Sequence, residues 1–311
     1  MGNKEKNFMS AVIYVHNAED RIESFLKTVI SVLEDNFEHS EIICVNDYSD
    51  DGGVQKIKAM SVQTKSISIS VLNMSYFHGL EMAMNAGVDL AIGDFVFEFD
   101  STIMNYNSSE IMKIYRHSLE GYDIVCASPD KKQRIASSLF YFVFEKFTNL
   151  SYKMTTESFR ILSRRVINRI SSMNKSVPYR KAIYSNCGLK TDNIIYTTIK
   201  TDSVSDKKER KYRRGLATDS LILFTDIGYR FSITMTIMMM IMTAFMVVYS
   251  LVIYCIGNPV QGWTTTILFL SVAFFGLFCI LTIIIKYLQL LIELVFKRKQ
   301  YSFESIEKLT K

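Results

Sequence analysis

The chain has 311 residues, of which 49% are hydrophobic and 22% charged, with 36 Lys and Arg against 31 Asp and Glu. The hydrophobic fraction excludes an intrinsically disordered protein, and a content of only 3 Pro and 13 Gly excludes a fibrous or linker-like chain. Five scattered cysteines without a Cys-x-x-Cys pair argue against a disulfide framework and against a zinc site.

Short apolar runs alternate with helical patterns from residue 9 to about residue 200. This alternation is typical of right-handed βαβ units, so we expect an α/β domain with a mostly parallel sheet. Ligands of such sheets bind beyond the carboxyl ends of the strands. The predicted strands are Met9–Val15, Glu41–Val45, Ile67–Leu72 and Phe95–Phe99, and the predicted helices between them are Ile22–Leu33, Gly53–Met60 and Gly79–Ala91.

Acidic residues follow two of the predicted strands. Asp47 and Asp51 come after the second strand, and Glu98 and Asp100 close the fourth. Because Glu98 and Asp100 are two residues apart on a strand, their side chains should project to the same side. Two such carboxylates can hold a hard divalent cation, which neutralises the charge that develops on a diphosphate leaving group. Acidic pairs are also common on protein surfaces, so the pair alone leaves both interpretations open.

Motifs for several other chemistries are absent from the sequence. No Gly-x-Gly-x-x-Gly follows the first strand and no Gly-x-x-x-x-Gly-Lys-Ser/Thr occurs, which disfavours dinucleotide oxidoreduction and P-loop nucleotide hydrolysis. The four histidines lack metal-ligand spacing, and there is no Gly-x-Ser-x-Gly elbow.

Residues 231–285 contain no Asp, Glu, Lys or Arg. The segments 233–256 and 264–285 each have about the ~20 residues that cross a bilayer, and the short uncharged loop between them predicts a helical hairpin. Six of the eight residues at 207–214 are Lys or Arg, and Lys297-Arg298-Lys299 follow the second segment. The positive-inside rule therefore places both termini in the cytoplasm. With no charged residue inside the membrane, the hairpin is expected to anchor the protein rather than to transport a solute.

These features predict a cytoplasmic domain at 1–206, a basic and amphipathic juxtamembrane segment at 207–232 and a cytoplasmic tail at 286–311 around the hairpin. The basic run has two interpretations. It either anchors the chain at anionic lipid headgroups or brings cations to a substrate phosphate. The pattern of residues 216–231 suits an amphipathic helix in the membrane interface.

A series of motifs runs in order along nearly the whole chain. Residues 11–17 resemble an opening strand with its Pro-x-Tyr-Asn-Glu turn, residues 41–51 resemble a Val-Asp-Asp-Gly-Ser-x-Asp segment, and Glu98-Phe99-Asp100 takes the place of an Asp-x-Asp motif. Residues 158–165, Lys211-Tyr212 and the loop between the apolar segments match later elements. In this order the motifs resemble the family 2 glycosyltransferases of the GT-A fold. The resemblance is strongest to the membrane-anchored branch of dolichyl-phosphate mannose synthases and bacterial polyprenyl-phosphate glycosyltransferases.

The resemblance implies a Rossmann-like GT-A domain that moves a sugar from a nucleotide-sugar donor onto polyprenyl phosphate with inversion. The acceptor phosphate is itself the nucleophile and is already ionised at neutral pH, so no strong general base is needed. It further implies that Glu98 and Asp100 bind Mg²⁺ or Mn²⁺, that Asp100 is catalytic, and that Arg134 and Ser138 hold the acceptor phosphate. The implied donor-binding residues are Asn17, Asp47, Asp51, Arg160, Arg210 and Lys211. For Arg160 a fold-supporting ion pair is an equal alternative.

The chain departs from the family pattern at several positions. This chain has Tyr14 where the family has Pro, Ala18 where it has Glu, Tyr48 where it has Gly, and Thr102 where it has Gln. Ser128-Pro129 replaces a Ser-Arg pair, and Lys131 or Lys132 is the candidate substitute for the missing arginine. Two other functions therefore stay open. One is transfer onto a larger lipid-linked saccharide, and the other is a non-catalytic membrane scaffold.

The resemblance also implies a bacterial inner-membrane location and a role in modifying surface polysaccharide or glycoconjugate. A homo-oligomer is expected, with a tetramer as the candidate state, and no nucleic-acid partner is expected.

Overall fold

The computed structural model of the protein describes residues 4–64, 66–130, 157–172, 180–199, 227–257, 262–295 and 301–310. The chain divides into two compact units. One comprises residues 1–218 together with 298–311, and the other comprises residues 219–297.

The first unit is built on one eight-stranded sheet. Its strands are β1 (Met9–Val15), β2 (Ser40–Asn46), β3 (Ser68–Met74), β4 (Phe95–Phe99), β5 (Ile124–Pro129), β6 (Phe159–Ser163), β7 (Thr191–Tyr196) and β8 (Phe303–Lys308), in the spatial order β7-β5-β6-β4-β1-β2-β3-β8. Strand β1 runs parallel to β2 and β4, β2 runs parallel to β3, and β5 runs parallel to β7. Strands β6 and β8 are antiparallel to their neighbours. The predicted mostly parallel α/β sheet is confirmed.

Helices cover both faces of this sheet, which is why its central strands are apolar on both sides. Alternate residues of β1 point to opposite faces, so that Ile13 packs with the core under α1 and Val12 packs with the core under α3. A Cβ at Gly87 would lie 2.5 Å from side-chain atoms of Val12 and Val45, so glycine allows α3 to approach the sheet closely. The helices are α1 (Glu19–Asn36), α2 (Gly53–Gln63), α3 (Leu80–Leu90), α4 (Ser109–Ser118), α5 (Arg164–Ser172) and α6 (Arg180–Asn186).

The second unit contains two long apolar helices, α7 (Ile227–Ile256) and α8 (Trp263–Val295). Residues 233–256 and 265–288 are long and apolar enough to cross a membrane, and few of their side chains are buried within the protein. These stretches agree with the predicted segments, although α8 continues beyond the predicted end at residue 285.

After α8 the chain returns to the sheet, where β8 pairs with β3. The Asn73 amide donates to Ser305 Oγ and to Glu307 Oε1 at 3.1 and 3.0 Å, and Lys58 pairs with Glu307 at 2.6 Å. The sequence predicted only a tail at 286–311, so this strand was missed.

Candidate active site

The loop after β2 is held in place by the Asp47 carboxylate. Its oxygens accept hydrogen bonds from Tyr14 Oη at 3.0 Å and from the backbone N–H groups of His78 and Gly79, both at 2.8 Å. Asp47 is fully buried. Tyr14, which departs from the family pattern, therefore supplies one of the three donors that fix this carboxylate at the start of α3.

Asn17 and Asp51 connect the loops that follow β1 and β2. The Asn17 side-chain oxygen accepts from the backbone N–H of Asp50 at 3.0 Å. Asp51 accepts from the N–H groups of Glu19 at 2.7 Å and Gly53 at 3.1 Å, so it caps the first turns of α1 and α2. The structure places Asn17, Asp47 and Asp51 in the loops at the carboxyl ends of the parallel strands β1 and β2. The contacts of Asp47 and Asp51 are within the protein and support the loops.

Glu98, Asp100, Arg160 and Arg180 form a closed ring of alternating charge. The Arg160 guanidinium donates from Nη1 to Glu98 Oε2 and from Nη2 to Asp100 Oδ2, both at 2.8 Å. Arg180 donates from Nη2 to Asp100 Oδ1 at 2.7 Å. Its Nη1 lies 2.8 Å from Glu98 Oε1 in an ion pair. We call these four residues the carboxylate–arginine ring. Each arginine bridges both carboxylates, which shows that Glu98 and Asp100 project to the same side, as predicted.

The local fold explains how the ring is assembled. Glu98 on β4 stands opposite Arg160 on β6 in the antiparallel register. Asp100 follows β4 directly, and Arg180 is the first residue of α6. Long-range strand pairing and a helix start therefore bring these four residues together.

Three further residues anchor the ring from outside. Glu157 accepts from Arg160 Nε at 3.0 Å. Glu81, in the first turn of α3, accepts from both the backbone N–H and the Nε of Arg180, at 2.8 and 3.0 Å. Tyr184, one turn after Arg180 on α6, donates to Glu98 Oε1 at 2.7 Å. Both guanidinium groups are thus held at three points or more and are fully buried.

The ring and its anchors carry an excess of negative charge. Four carboxylates face two guanidinium groups, and the Lys181 ammonium lies 4.0 Å from Glu157. Burial opposes the ionisation of Asp100, but the charges of Arg160 and Arg180 outweigh it and hold the pKa of Asp100 well below its usual range. Burial and the neighbouring Glu98 charge raise the pKa of Tyr184, which keeps its hydroxyl protonated as a donor. The four carboxylates are Glu81, Glu98, Asp100 and Glu157.

Asp100 and Glu98 differ in how accessible their side chains are to a cation from solvent. Of the Asp100 side chain 12% is exposed, and each oxygen accepts one hydrogen bond, so lone pairs remain for a further ligand. Glu98 is fully buried and both of its oxygens are engaged. A divalent cation therefore fits at Asp100, whereas these contacts do not support Glu98 as a ligand. Among the residues that the structure describes, no three His, Cys, Asp or Glu side chains are grouped to hold a metal ion.

The remaining predicted site residues have different outcomes. For Arg160 the fold-supporting ion pair, one of the two interpretations, is what the structure contains. Arg134, Ser138, Arg210 and Lys211 lie outside the described residues, as do Lys131 and Lys132.

Sequence reasoning missed Arg180, Glu81 and Tyr184. One signal was available, because Glu81 is a charged residue on the apolar face of the predicted helix Gly79–Ala91 and needed a buried partner.

The sequence of this domain matches a known protein family. Residues 10–171, slightly more than half of the chain, match the model described as glycosyl transferase family 2. The chain therefore belongs to glycosyltransferase family 2.

Relatives extend the similarity beyond the matched domain. A prophage bactoprenol glucosyl transferase homolog of Escherichia coli is 26% identical over 282 residues, covering 86% of this chain and 88% of the relative. An uncharacterized glycosyltransferase of Synechocystis sp. is 28% identical over 196 residues and is covered over 60% of its length. An undecaprenyl-phosphate 4-deoxy-4-formamido-L-arabinose transferase of Aeromonas hydrophila is 29% identical over 157 residues, covering 50% of this chain and 46% of the relative.

A solved structure shares the fold. Glucosyl-3-phosphoglycerate synthase from Mycobacterium tuberculosis, in complex with Mn²⁺, UDP and phosphoglyceric acid, superposes with a TM-score of 0.51 at 15% identity. The match covers 69% of this chain and 78% of the synthase. The GT-A-like fold is therefore shared at low sequence identity.

Proposed function

We propose that this protein transfers a sugar from a nucleotide-sugar donor onto polyprenyl phosphate at a membrane surface. The observation that carries the proposal is the match to the E. coli relative, whose name specifies bactoprenol as the acceptor. The alignment covers 86% of this chain, which is more than the share of the chain that lies outside α7 and α8. The similarity therefore includes part of the apolar helices as well as the catalytic domain. The Aeromonas relative is named for undecaprenyl phosphate, a chemically similar acceptor.

The proposed donor site is the edge formed by the carboxyl ends of β1, β2 and β4, where parallel sheets bind ligands. Asn17, Asp47 and Asp51 shape the loops there, and Asp100 faces the site from the end of β4. Mg²⁺ or Mn²⁺ at Asp100 would supply charge neutralisation to the leaving diphosphate. The excess of carboxylates over arginines in the ring and its anchors supports attraction of a cation to this point.

The acceptor phosphate attacks the anomeric carbon, a new carbon–oxygen bond forms with inversion, and the nucleoside diphosphate leaves with the electron pair of the broken bond. The acceptor phosphate is ionised at neutral pH, so the reaction requires no buried histidine as a base. Arg134 and Ser138 remain the proposed acceptor contacts, and Arg210 and Lys211 the proposed donor contacts.

The proposed location is the bacterial inner membrane, with the catalytic domain and both termini in the cytoplasm. Strand β8 belongs to the same folded unit as the strands that precede α7. This connection supports a chain that enters and leaves the pair of apolar helices from the same side of a bilayer and so crosses it twice. The basic residues at both ends of the pair support a cytoplasmic side. A homo-oligomer and a role in modifying surface polysaccharide or glycoconjugate stay predictions.

The test uses the purified full chain with polyprenyl phosphate, Mg²⁺ or Mn²⁺ and a panel of nucleotide sugars, with the lipid product measured by mass spectrometry. We expect one donor to give a glycosylated lipid phosphate. Asp100→Asn should lower the rate by roughly a hundredfold or more, because it removes the carboxylate charge at the proposed cation site. Asp123→Asn is the matched control, since Asp123 pairs with Arg165 away from the ring and its loss should leave the rate nearly unchanged.

Two results would reject the proposal in different ways. Product formed only on a diphosphate-linked saccharide would favour transfer to a larger lipid-linked acceptor. If the wild-type protein forms no product with any donor and acceptor and binds no nucleotide in calorimetry, the result would favour a non-catalytic scaffold.

A further inference from the structure

Strand β8, which follows the two apolar helices in the sequence, begins beside the loops of the proposed donor site. It pairs antiparallel with β3, so that Phe303 lies opposite Met74 and Lys308 lies opposite Ser70. Because β3 runs parallel to β2, the carboxyl end of β3 lies at the same edge of the sheet as the carboxyl end of β2. The first residues of β8 are therefore at the edge where the donor is proposed to bind.

His78 connects the chain just before β8 to the loop after β2. The backbone N–H of Ser302 donates to His78 Nε2 at 3.1 Å, and the backbone N–H of His78 donates to Asp47 Oδ1 at 2.8 Å. The carbonyl oxygen of Ser302 also accepts from the N–H of Ser75 at 3.3 Å. One residue thus joins the start of β8 to the carboxylate that fixes the loop after β2.

The contacts of the His78 ring define its protonation state. The Tyr76 carbonyl oxygen can only accept, so Nδ1, which lies 2.6 Å from it, carries the hydrogen. Nε2 accepts from Ser302 and therefore carries none. The neutral ring also stacks on the ring of Tyr76, with centroids 3.9 Å apart. A side chain without an acceptor at the position of Nε2 would lose the contact with Ser302.

Asn73 forms a second connection, across β3 and β2. Its Nδ2 donates to Ser305 Oγ at 3.1 Å and to Glu307 Oε1 at 3.0 Å on β8. Its Oδ1 accepts from Asn46 Nδ2 at 2.9 Å, and Asn46 Oδ1 accepts from the backbone N–H of Ser49 at 3.1 Å. Two side-chain amides therefore extend from β8 to the loop after β2, which His78 also reaches through Asp47.

The loops at this edge need such support because their backbone is strained. Tyr48 has a φ of 54° and Asn17 a φ of 45°. Ser49 Oγ accepts from the backbone N–H of Asn17 at 3.2 Å, which joins the loop after β1 to the same set of contacts. Conformations of this kind persist where the surrounding structure enforces them. A loop that is already ordered binds a ligand more tightly, because less conformational entropy is lost on binding.

We infer that His78 and Asn73 are positioning residues through which β8 holds the loops that receive the donor nucleotide. The inference rests on the proposed function, since these loops are those of the proposed donor site. It makes nucleotide binding depend on the segment of the chain that follows α8. Such a coupling is reciprocal, so a bound nucleotide should stabilise β8 to the extent that β8 favours nucleotide binding.

The first test measures the affinity of the full-length protein for UDP and GDP by calorimetry, with Mg²⁺ present and well below the unfolding temperature. His78→Phe keeps an aromatic ring beside Tyr76 but loses the acceptor, so it should weaken nucleotide binding by about three- to tenfold, as for one lost hydrogen bond. His78→Gln has a side-chain oxygen that can replace Nε2 as the acceptor, and it should recover most of the affinity. Asn73→Ala breaks the second connection and should cause a loss similar to that of His78→Phe.

Thr310→Val is the matched control, because Thr310 holds the other end of β8. Its Oγ1 donates to the carbonyl oxygen of Ile67 at 3.1 Å and accepts from the backbone N–H of Ile69 at 2.6 Å, near the amino end of β3. Thr310→Val should lower the thermal unfolding midpoint and keep wild-type nucleotide affinity. A purely structural role for β8 instead predicts that His78→Phe also changes only the midpoint.

The second test uses hydrogen–deuterium exchange to detect the reciprocal effect. Whichever of UDP and GDP binds the wild-type protein should lower deuterium uptake in residues 301–310. His78→Phe should lose this protection at saturating nucleotide, whereas Thr310→Val should keep it. The inference is overturned if His78→Phe and Asn73→Ala bind nucleotide with wild-type affinity, or if nucleotide leaves the uptake of residues 301–310 unchanged in the wild-type protein.

Failure of the inference can be distinguished from failure of the proposed function. If the wild-type protein binds nucleotide and forms the glycosylated lipid while the variants keep its affinity, only the positioning roles are rejected. If the wild-type protein binds neither UDP nor GDP and forms no product with any nucleotide sugar, the proposed function is rejected and the positioning roles with it.

Discussion

At the scale of single residues, Tyr48 combines a bulky side chain with a backbone conformation that favours glycine. Its φ is 54°, in the left-handed region, and about half of the residue is exposed. The related motif has Gly at this position. A bulky residue in this region is strained, whereas Gly and Asn tolerate it, and such strain persists where the surrounding structure enforces it.

Tyr48→Gly should therefore stabilise the protein. Relief of the strained φ, partly offset by the greater flexibility of glycine in the unfolded chain, should raise the free energy of unfolding by ~0.5–1 kcal/mol. Thermal unfolding of the full chain in detergent measures this as a small rise in the midpoint. Asn17→Gly is the control, because Asn tolerates its φ of 45° and its side chain accepts a hydrogen bond that glycine would lose. A lower midpoint for Tyr48→Gly would contradict the account.

The sequence predicted the common side of Glu98 and Asp100 but not their different exposure. The two-residue spacing of Glu98 and Asp100 predicted their common side correctly, because strand geometry alone determines it. Their different exposure depends on Arg160 and Arg180, which lie 62 and 80 residues further along the chain from Glu98 and Asp100, respectively. No local pattern predicts which carboxylate such distant arginines cover.

At the scale of secondary-structure elements, His117 links α4 to β7. Its Nε2 lies 2.7 Å from Asp192 Oδ2 on β7, and its Nδ1 lies 2.8 Å from Glu120 Oε2. The hydrogen bond to Asp192, aided by Glu120 and opposed by partial burial, raises the pKa of His117 above its ordinary value. The protonated imidazole therefore stabilises the contact between the helix and the edge of the sheet.

The pH dependence of stability follows from the raised pKa. A group with a raised folded-state pKa contributes its full stabilisation below the unfolded value, about 6.5, and loses it as pH rises through the folded value. The unfolding midpoint should thus fall by roughly 1–3 °C between about pH 6 and 8, as expected of a partly exposed ion pair. His117→Gln should remove this decrease, whereas His39→Gln at an exposed site should keep it. An unchanged slope in His117→Gln would refute the assignment.

The elements differ in how well the sequence predicted them. Met9–Val15 and Phe95–Phe99 have the predicted bounds, because buried strands appear as short, mostly apolar runs bounded by polar turns. Strand β8 gave no such signal. It lies at the edge of the sheet with exposed and half-buried residues only, so its sequence FESIEK has little apolar periodicity.

At the scale of the whole molecule, the return of the chain to the sheet supports the proposed membrane topology. The strand after α8 and the strands before α7 belong to one unit, which supports the proposal that the chain crosses a bilayer twice. Basic residues at both flanks then predict which side the domain occupies. Strand β8 adds support that the hydropathy pattern and the basic flanks do not supply.

Cysteine labelling tests this topology. In a background with Cys255→Ser and Cys279→Ser, Thr265→Cys at the start of α8 should react with a membrane-impermeant maleimide added to intact cells with a permeabilised outer membrane. Glu304→Cys on β8 should react only after the inner membrane is broken, because the proposed topology puts β8 on the cytoplasmic side. Both substituted positions are exposed in the structure, and Cys44, Cys126 and Cys187 are buried. Labelling of Glu304→Cys in intact cells would contradict the orientation.

The most direct test of the central claim is a crystal structure of the full chain with Mn²⁺ and UDP or GDP, in which the anomalous scattering of manganese locates the cation. We expect one manganese peak within coordination distance of an Asp100 oxygen and of the diphosphate, with Glu98 still between Arg160 and Arg180. A peak on Glu98, or a nucleotide bound with its diphosphate away from Asp100, would contradict it.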